Sequence, residues 1–292
     1  MTQIAVLTPD PADPSYAGQW PGVLERLSKA LALAGIETTP TPWTDHVEDA
    51  SGLVEFPLVL PLIVWGYHRD HARWMRACEA WTKAGVRLMN PAAVLAWNSD
   101  KAYLGRLADK GVAIPETLWV EGVTQADIDA AFDRLEAETI IVKPRVSGGA
   151  WKTLRLNRGD PLEGAPEGPA MIQPFLPAIE SEGETSLLFF GGRLSHAVNK
   201  RPVAGEFRIQ VQFGGQYTAV AEPPTAALAL AEATLAAIDE DLLYARIDMA
   251  RAPDGGWRLM EAELIEPDFY LGSAPDEGRA FAEAVRARLG RA

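Results

Sequence analysis

The sequence predicts an α/β fold whose C-terminal part is α+β, and three observations lead to this fold class. In the first 90 residues, aliphatic and β-branched runs alternate with helical runs, which is typical of a parallel sheet covered on both faces. After Asn90-Pro91 this pattern changes. From Met171 onwards, short strand-like runs follow one another with glycine-containing turns between them, which indicates an antiparallel sheet.

The first region contains four predicted strands and two predicted helices. The strands are rich in aliphatic and β-branched residues, and each helix is followed by a glycine, which readily adopts the left-handed conformation found after helix ends. In chain order the elements are the strand Ile4–Thr8, the helix Val23–Ala34, the strands Ile36–Trp43 and Pro57–Trp65, the helix His71–Ala84 and the strand Val86–Met89.

The middle region combines helices, strands and a glycine-rich loop. The helix predicted at Thr124–Glu138 has the clearest pattern, because Thr124 and Asp127 resemble a capping box and one stripe of the helix is apolar. The strand Thr139–Lys143 leads into the flexible loop Ser147-Gly148-Gly149. The other predicted elements here are the helix Ser99–Gly111 and the strands Thr117–Val120 and Thr153–Leu156.

The last region is rich in strands and ends with a helix. The turn Pro253-Asp254-Gly255-Gly256 separates two of its strand-like runs. Helices are predicted at Thr225–Asp239 and Asp276–Leu289, the second with one apolar face. The predicted strands are Ser186–Phe190, Arg193–Val198, Phe207–Phe213, Gln216–Val220, Tyr244–Ala250 and Trp257–Leu264.

Composition and charge exclude several classes of function. The chain has 292 residues, of which 48% are hydrophobic, enough for more than one core. Its net charge of −13 disfavours nucleic acid as the main partner. No apolar run approaches the ~18 residues that cross a bilayer and the N-terminus does not resemble a signal peptide, so we expect a cytoplasmic protein with no membrane partner. The single cysteine, Cys78, forms no intramolecular disulfide and is expected to be a buried structural thiol.

Three carboxylates stand out on two neighbouring predicted strands. Side chains alternate between the faces of a strand, so Glu261 and Glu263 share a face, and Asp248 can lie opposite Glu261 across an antiparallel pair. Three such carboxylates repel one another unless a cation lies between them, and hard oxygen ligands suit Mg²⁺. A solvated acidic sheet face is the alternative, but the apolar residues on either side favour a packed site.

A magnesium ion with few protein ligands completes its shell with phosphates and water, so the chain should supply cations for the phosphates. Lys143 is the strongest candidate, because its strand ends at a glycine-rich loop whose N–H groups can surround a phosphate. The loop is not a Walker A motif, since Lys143 precedes the glycines. The other candidates, each of which can equally be an ordinary surface charge, are Lys101, Lys200, Arg201, Arg208 and Arg246.

A series of short motifs follows one another along the chain. The motifs are Asn98-Ser99-Asp100-Lys101, Ile141-Val142-Lys143-Pro144 with Ser147-Gly148-Gly149, Gln173-Pro174-Phe175-Leu176, Gly183-Glu184-Thr185-Ser186, Arg246-Ile247-Asp248 and Glu261-Ala262-Glu263. Taken in this order, they resemble the ATP-grasp superfamily. A second set, including Gly205-Glu206-Phe207-Arg208, resembles its glutathione synthetase-like and ribosomal-protein-modification-like bacterial branch. The resemblance extends from about Asn90 to Pro267. It implies an N-terminal α/β domain at 1–92, a small central lid domain at 93–172 and a C-terminal catalytic domain at 173–292.

The resemblance also implies a role for each motif. Glu184 would accept hydrogen bonds from the ribose, and Lys200 and Arg208 would line the phosphate and substrate site. Arg246 would stabilise the charge that develops on an acyl phosphate. The phosphates would be held by Lys101, Lys143, Ser147, Gly148 and Gly149. The hinge that reads adenine through backbone groups would be Gln173, Pro174, Phe175 and Leu176. The Mg²⁺ ligands, which Mn²⁺ can also use, would be Asp248, Glu261 and Glu263.

One departure from the family pattern concerns the metal site. Many relatives have asparagine where this chain has Glu263. Glutamate is a suitable oxygen ligand for Mg²⁺ but adds a negative charge. The resemblance therefore leaves open whether Glu263 or a neighbouring residue is the third ligand.

The function that the resemblance implies is an ADP-forming ligase that joins a small-molecule carboxylate to an amine. The carboxylate would attack the γ-phosphate of ATP, and the resulting acyl phosphate would react with an amine-type nucleophile to give an amide-type bond. One alternative is an ATP-grasp kinase that stops at phosphoryl transfer. Another is a non-catalytic nucleotide-binding scaffold, which has no need of metal ligands. A homo-oligomer is compatible with all three.

Some residues with less specific signals complete the set of candidates. His196 lies in a strand-like run, where a histidine is more often structural than catalytic. A group in the first domain lies at or just after predicted strands, where α/β sheets present ligand sites, and can either bind substrate or pack an interface. This group consists of Tyr16, Trp65, Tyr67, His68 and Arg69. Arg145, beside the glycine-rich loop, is a comparable candidate.

Overall fold

The computed structural model describes residues 2–210 and 213–290 and contains three β-sheets with helices packed around them. The first sheet has three parallel strands in the order β2-β1-β3. The second has four antiparallel strands in the order β4-β7-β5-β6, and the third has five antiparallel strands in the order β10-β9-β8-β11-β12. The predicted division into domains at 92/93 and 172/173 stays a prediction.

The parallel sheet is buried on both faces, as its composition predicts. Ile4 and Val6 of β1 pack with the first long helix, whereas Ala5 and Leu7 pack with the second. This alternation follows from the two-residue period of a strand. The elements of this region are β1 (Thr2–Thr8), α1 (Trp20–Ala32), β2 (Ile36–Pro42), α2 (Ser51–Val54), β3 (Val59–Leu60) and α3 (His71–Ala84).

Two strand predictions in this region are wrong in extent. The run predicted at Pro57–Trp65 forms a strand only at Val59–Leu60. Pro61 has no N–H for the ladder, and Ile63 then donates to the carbonyl of Leu7, so the chain remains buried but leaves the sheet. Of the strand predicted at Val86–Met89, only Leu88 pairs with β3, through an isolated parallel bridge.

The four-stranded sheet carries the glycine-rich loop. Its strands pack against the apolar stripe of α6, and Thr124 and Asp127 form the expected capping box at the start of that helix. The elements here are α4 (Ala92–Asn98), α5 (Tyr103–Asp109), β4 (Leu118–Val120), α6 (Gln125–Arg134), β5 (Thr139–Pro144), β6 (Leu154–Asn157) and β7 (Ala170–Pro174).

Helix boundaries differ from the prediction at several places, including the first helix, which was predicted at Val23–Ala34 and spans Trp20–Ala32. The helix predicted at Ser99–Gly111 begins only at Tyr103, and α4 before it was not predicted. Helix α6 ends at Arg134 because Glu136 adopts a left-handed conformation, with φ of 47°. The last helix begins at Arg279 rather than Asp276, since the Asp276 carboxylate caps it by accepting from backbone N–H groups.

The five-stranded sheet contributes one wall of the cavity that the predicted site residues line. The run predicted as a strand at Phe207–Phe213 is not a strand at residues 207–210 or 213, and residues 211 and 212 lie outside the described part of the chain. The elements of this region are α7 (Ala178–Ser181), β8 (Glu184–Phe190), β9 (Arg193–Arg201), β10 (Gln216–Val220), α8 (Thr225–Ile238), β11 (Tyr244–Arg251), β12 (Trp257–Glu263) and α9 (Arg279–Leu289).

Buried side chains tie the first region to the five-stranded sheet. The fully buried Asn90 amide donates to the carbonyls of Tyr244 and Leu264 and accepts from the N–H of Leu243. Cys78 is buried and unpaired, as predicted, and burial raises the pKa of its thiol to about 12. A search of the described residues finds no helix with both the length and the apolar character needed to cross a membrane.

Candidate active site

A cavity of about 600 Å³ lies where the three sheets meet. Its walls come from the parallel sheet, the glycine-rich loop, the hinge after β7 and one face of the five-stranded sheet. All sixteen residues that the sequence predicts for the site line this cavity, namely Lys101, Lys143, Ser147, Gly148, Gly149, Gln173, Pro174, Phe175, Leu176, Glu184, Lys200, Arg208, Arg246, Asp248, Glu261 and Glu263. The roles of these residues stay predictions.

Strand pairing brings the three carboxylates together. Asp248 on β11 lies directly opposite Glu261 on β12, and Arg246 lies opposite Glu263. The register shifts after Asp248, so that Met260 is an extra residue on β12. One carboxylate oxygen from each of the three acidic residues lies within 4.8 Å of the others. The predicted convergence is therefore present.

Lysine and arginine side chains form ion pairs with the carboxylates. Lys200 Nζ lies 2.6 Å from Glu184 Oε1 and 3.0 Å from Asp248 Oδ2. Arg246 contacts Asp248 at 3.0 Å and also pairs with Glu263. Apart from Glu263, which is partly exposed, these groups are buried, and buried ion pairs resist screening by solvent.

Two further contacts complete the shell of the carboxylates. Lys101 Nζ lies 2.7 Å from Glu261 Oε1. Ser186 donates its hydroxyl proton to Asp248 Oδ1 at 2.6 Å. Together with Lys200 and Arg246, these groups give each of the three carboxylates at least one hydrogen-bonding or ionic partner.

The carboxylates differ in how well their charge is compensated. Burial favours a higher pKa for Asp248, but the charges of Arg246 and Lys200 outweigh it and hold the pKa well below its usual range. At Glu263, burial and the charges of the other two carboxylates prevail over Arg246 and raise the pKa to about 7. The charge of Glu263 is therefore compensated less completely than that of Asp248.

The donor set fits a magnesium ion. It offers oxygen ligands only, one residue is deeply buried and two are partly exposed towards the cavity, so a bound ion can also be reached by phosphates and water. The raised pKa of Glu263 indicates where an added positive charge stabilises the site most. Nothing in this set suits a thiolate-binding or imidazole-binding metal.

The free edge of β12 is held by side chains from the helices before it. Asn98 donates to the carbonyl of Ala262 and accepts from the N–H of Leu264. The N–H of Ala262 donates to the hydroxyl of Tyr103. These three hydrogen bonds hold the backbone of the residues that follow Glu261 and Glu263 on the edge strand. The backbone therefore holds both carboxylates in place.

The glycine-rich loop lies at one end of the cavity, where the sequence predicts the phosphates of ATP. Lys101 donates to the carbonyl of Ser147 at 3.2 Å, and Lys143 projects from the end of β5. Burial lowers the pKa of Lys143, against the attraction of the Glu261 charge. A Cβ at Gly148 would meet the His68 ring nitrogen at 3.2 Å, so glycine allows the close approach of loop and first domain.

Some polar groups of the predicted hinge already have hydrogen-bond partners, and others do not. The backbone N–H of Phe175 is used by the carbonyl of Thr139 and is not open to a ligand. Gln173 donates to Thr117 at 2.9 Å, whereas its side-chain oxygen is buried and has no partner among the described residues. Gln173 itself lines the cavity, where the sequence predicts the adenine.

Some predicted residues lie away from the carboxylate cluster. Arg208 pairs with Glu206 at 2.6 Å and stacks on Phe213, so it lines the cavity without an ion pair to the cluster among the described residues. Arg145 forms a two-point hydrogen bond with Asp100 and orders the chain next to Lys101. His196 bonds the carbonyl of Phe269 and does not line the cavity, in agreement with a structural role.

Three functional candidates were missing from the predicted site. Ser186 bonds Asp248, and the Tyr270 ring lies 5.4 Å from the Arg246 guanidinium. Burial and the charge of Glu263 raise the pKa of Glu266 to about 8, and this residue also lines the cavity. Ser186 is two residues after Glu184 and shares its face, a signal that the sequence offered. Tyr270 and Glu266 follow β12 in an irregular segment, where periodicity carries no information.

Comparisons with known proteins agree with this geometry. Residues 4–90 match the family model described as D-cycloserine synthetase DcsG, N-terminal domain. The cycloserine biosynthesis protein DcsG of Streptomyces lavendulae is 30% identical over 285 residues, covering 90% of this chain and 92% of that protein. A glutathione synthetase of Prochlorococcus marinus (strain MIT 9313) is 31% identical over 211 residues, covering 67% of this chain and 64% of that protein.

A solved structure extends the likeness to the whole chain. The crystal structure of D-cycloserine synthetase DcsG superposes with a TM-score of 0.80 at 26% identity, covering 98% of this chain and 99% of that one. The predicted fold class is thereby confirmed. The ligase interpretation is also confirmed, and the kinase and scaffold alternatives find no support in these relatives. The chain belongs to the ATP-grasp ligases, in the group that contains DcsG, and is an ADP-forming carboxylate–amine ligase.

Proposed function

We propose that this chain activates the carboxylate of a small amino-acid-derived substrate as an acyl phosphate, at the cluster formed by Asp248, Glu261 and Glu263. The single observation that carries the proposal is the convergence of these carboxylates within 4.8 Å, beside Lys101, Lys200 and Arg246 in one cavity. An arrangement of this kind neutralises and positions the terminal phosphates of ATP.

The bonds in the proposed reaction change in two steps. A carboxylate oxygen of the substrate attacks the γ-phosphorus, and ADP leaves with the electron pair of the broken P–O bond. The amine nitrogen then attacks the acyl carbon, loses a proton and displaces phosphate. Arg246 stabilises the negative charge on the acyl group, and Lys143 and Lys200 stabilise charge on the phosphoryl group. The glycine-rich loop excludes the water that would hydrolyse the acyl phosphate.

A divalent cation belongs to this site. ATP-grasp ligases generally use ATP with Mg²⁺, and we propose that Asp248, Glu261 and Glu263 hold Mg²⁺, or Mn²⁺ in its place. The ion would offset the charge of the phosphate oxygens as a Lewis acid. The residues around it bind and orient the nucleotide, with Gln173 accepting from adenine and Glu184 from the ribose.

The substrates are proposed by likeness to DcsG. That relative is a D-cycloserine synthetase, and D-cycloserine contains an amide-type C–N bond within its ring. We therefore propose that the carboxylate and the nitrogen nucleophile are small molecules, or two ends of one molecule that closes into a ring. Supply of ATP for this reaction makes the cytoplasm the proposed location, as expected from the sequence.

The proposal is tested with ATP, Mg²⁺ and pooled amino acids and amino-acid derivatives, including O-amino-substituted serines. Mass spectrometry should show a condensed or cyclised product together with ADP. With the carboxylate labelled by ¹⁸O, one label per turnover should appear in the released phosphate, because the acyl phosphate hands an oxygen to phosphorus. Unlabelled phosphate, or a phosphorylated product that accumulates without condensation, would contradict the proposal.

A further inference from the structure

Residues 175–182, here called the connecting segment, join β7 of the four-stranded sheet to β8 of the five-stranded sheet. The start of this segment is held by the first of these sheets, because the N–H of Phe175 donates to the carbonyl of Thr139 on β5. Its end is held by the other sheet, because Asn199 on β9 donates to the carbonyl of Glu182 and Arg251 on β11 pairs with the Glu182 carboxylate at 3.2 Å. The geometry of the connecting segment therefore determines how the two sheets lie relative to each other.

One arginine of the four-stranded sheet contacts the connecting segment at two points. Arg155 lies on the edge strand β6, opposite Ile141. The central carbon of its guanidinium lies 4.1 Å from the centre of the Phe175 ring, and its Nη1 lies 2.5 Å from Glu180 Oε1 on α7. Arg155 thus links one strand both to the start of the segment and to the helix in its middle.

The connecting segment also forms part of the cavity wall. Phe175 and Ile179 line the cavity together with Ile141, whereas Arg155 and Glu180 do not. The sequence predicts the adenine of ATP at this part of the wall. Arg155 is therefore placed to act on the shape of the wall without contacting a nucleotide in the cavity.

The two contacts of Arg155 are too exposed to matter much for overall stability. The side chains of Arg155 and Glu180 are 30% and 44% exposed, and solvent screens ion pairs of this kind. A guanidinium stacked on an aromatic ring is also a weak contact at an exposed site. Weak contacts nevertheless change the populations of conformations that differ little in free energy, as alternative positions of a short connecting segment do.

We propose that Arg155 is a positioning residue for nucleotide binding, which holds Phe175 and Ile179 in place before the nucleotide binds. Without its contacts the connecting segment samples other positions, and the apparent Kd for the nucleotide rises as the fraction of molecules in the binding-competent position falls. This inference rests on the proposed function, because it takes the wall at Phe175 as the adenine site. It adds a residue outside the cavity to those that determine the affinity for ATP.

The inference is tested by nucleotide binding without a carboxylate substrate, so that the result does not depend on ligation. Calorimetric titration with Mg²⁺ and a non-hydrolysable ATP analogue gives the Kd. Arg155→Met removes both contacts and should raise the Kd roughly 5- to 10-fold. Glu180→Gln weakens the ion pair and Arg155→Lys loses the planar guanidinium, and each should raise the Kd about threefold. Adding Glu180→Gln to Arg155→Met should change nothing further, because Glu180 acts through Arg155.

A matched control comes from the same four-stranded sheet. Arg158 pairs with Asp133 at 2.7 Å and with Glu138 at 3.4 Å, and its guanidinium carbon lies 5.2 Å from the centre of the Phe132 ring. None of these residues lines the cavity or lies in the connecting segment. Arg158→Met should therefore lower the midpoint of thermal unfolding at least as much as Arg155→Met does, but should leave the Kd within about 1.5-fold of the wild type.

The outcomes separate this inference from the proposed function and from misfolding. If Arg155→Met fails to fold, Arg155→Lys and Glu180→Gln carry the comparison, with a smaller rise of the Kd in the same direction. An unchanged Kd in the folded variants, or an equal rise in Arg158→Met, would overturn the inference and leave the ligase intact. Absence of nucleotide binding by the wild type would overturn the proposed function and this inference with it.

Discussion

The acidic side chains at the two ends of the cavity differ in whether they pair with a cation. At the phosphate end, Asp248, Glu261 and Glu184 each have a lysine or arginine partner at 2.6–3.0 Å. At the end lined by Trp65 and Tyr67, Glu266 forms none of the ion pairs of the described residues, and burial raises its pKa to about 8. One region of the cavity therefore holds carboxylates paired with cations, and the other holds a carboxyl group that is mostly protonated at neutral pH.

This difference indicates which end of the cavity is prepared for phosphate binding. Phosphate binding needs a fixed array of charges, and buried pairs on adjacent strands supply it with little reorganisation. Variants at the phosphate end should accordingly change kcat and the KM for ATP.

The largest effect is expected at the metal cluster. Glu261→Gln removes a metal ligand and the partner of Lys101, so kcat should fall by about 10³-fold with the fold intact. Asp248→Asn should abolish turnover as well, but it also leaves Arg246 and Lys200 partly uncompensated and should lower the unfolding midpoint. Steady-state ADP release and thermal unfolding measure both. Full activity of Glu261→Gln would contradict the proposal that Glu261 binds the metal ion.

A smaller effect is expected from the lysine under the glycine-rich loop. Lys143→Met keeps the length of the side chain and removes the charge, so the KM for ATP should rise by roughly 10- to 50-fold. The KM for the carboxylate substrate should not change, because the sequence predicts that Lys143 contacts the phosphates of ATP. Initial rates at varied ATP and at varied carboxylate separate the two effects. A variant with an altered KM for the carboxylate and normal ATP binding would contradict this prediction.

The pH dependence of ATP binding should follow the ionisation of the same lysine. Burial lowers the pKa of Lys143, so its positive charge is fully present at low pH and is lost as pH rises through a value below that of an ordinary lysine. The Kd for ATP should therefore increase on the alkaline side. Fluorescence titrations of wild type and Lys143→Met from neutral to alkaline pH test this. Parallel profiles for the two proteins would contradict it.

The smallest effect is expected where the loop meets the first region. Gly148→Ala places a methyl group 3.2 Å from the His68 ring, which must then shift by a few tenths of an ångström. We expect a loss of about three- to fivefold in kcat/KM for ATP, and recovery in the double variant Gly148→Ala/His68→Ala, because the clash is then removed. The four-protein cycle is measured by ADP release. Equal loss in single and double variants would exclude this contact as the cause.

The regular elements were the best predicted from sequence. Regular pairing from the short turn would place Met260 opposite Asp248, and the extra residue on β12 brings Glu261 there instead, so the predicted convergence depends on a bulge. The capping box at Thr124 follows from local hydrogen bonding. Pro57–Trp65 was wrong in extent because an apolar run is compatible with burial both inside and outside a sheet.

The site was predicted only in part, for a physical reason. Ordered motifs indicate which residues line the cavity, but ion pairs depend on tertiary approach. That Arg208 pairs with Glu206, or that Trp65 reaches Glu266 across about 200 residues of chain, cannot be read from periodicity. Glu266 lies in an irregular segment after β12, where only the cavity reveals its position.

The central claim is that side-chain oxygens of Asp248, Glu261 and Glu263 bind one divalent cation together with the nucleotide. Mn²⁺ bound per protein, measured by electron paramagnetic resonance in the presence of ADP and corrected with an ADP-only sample, tests this directly. The account predicts one tight Mn²⁺ site in the wild type and at least roughly tenfold weaker binding in Glu261→Gln. Equal Mn²⁺ affinity in the two proteins would contradict it.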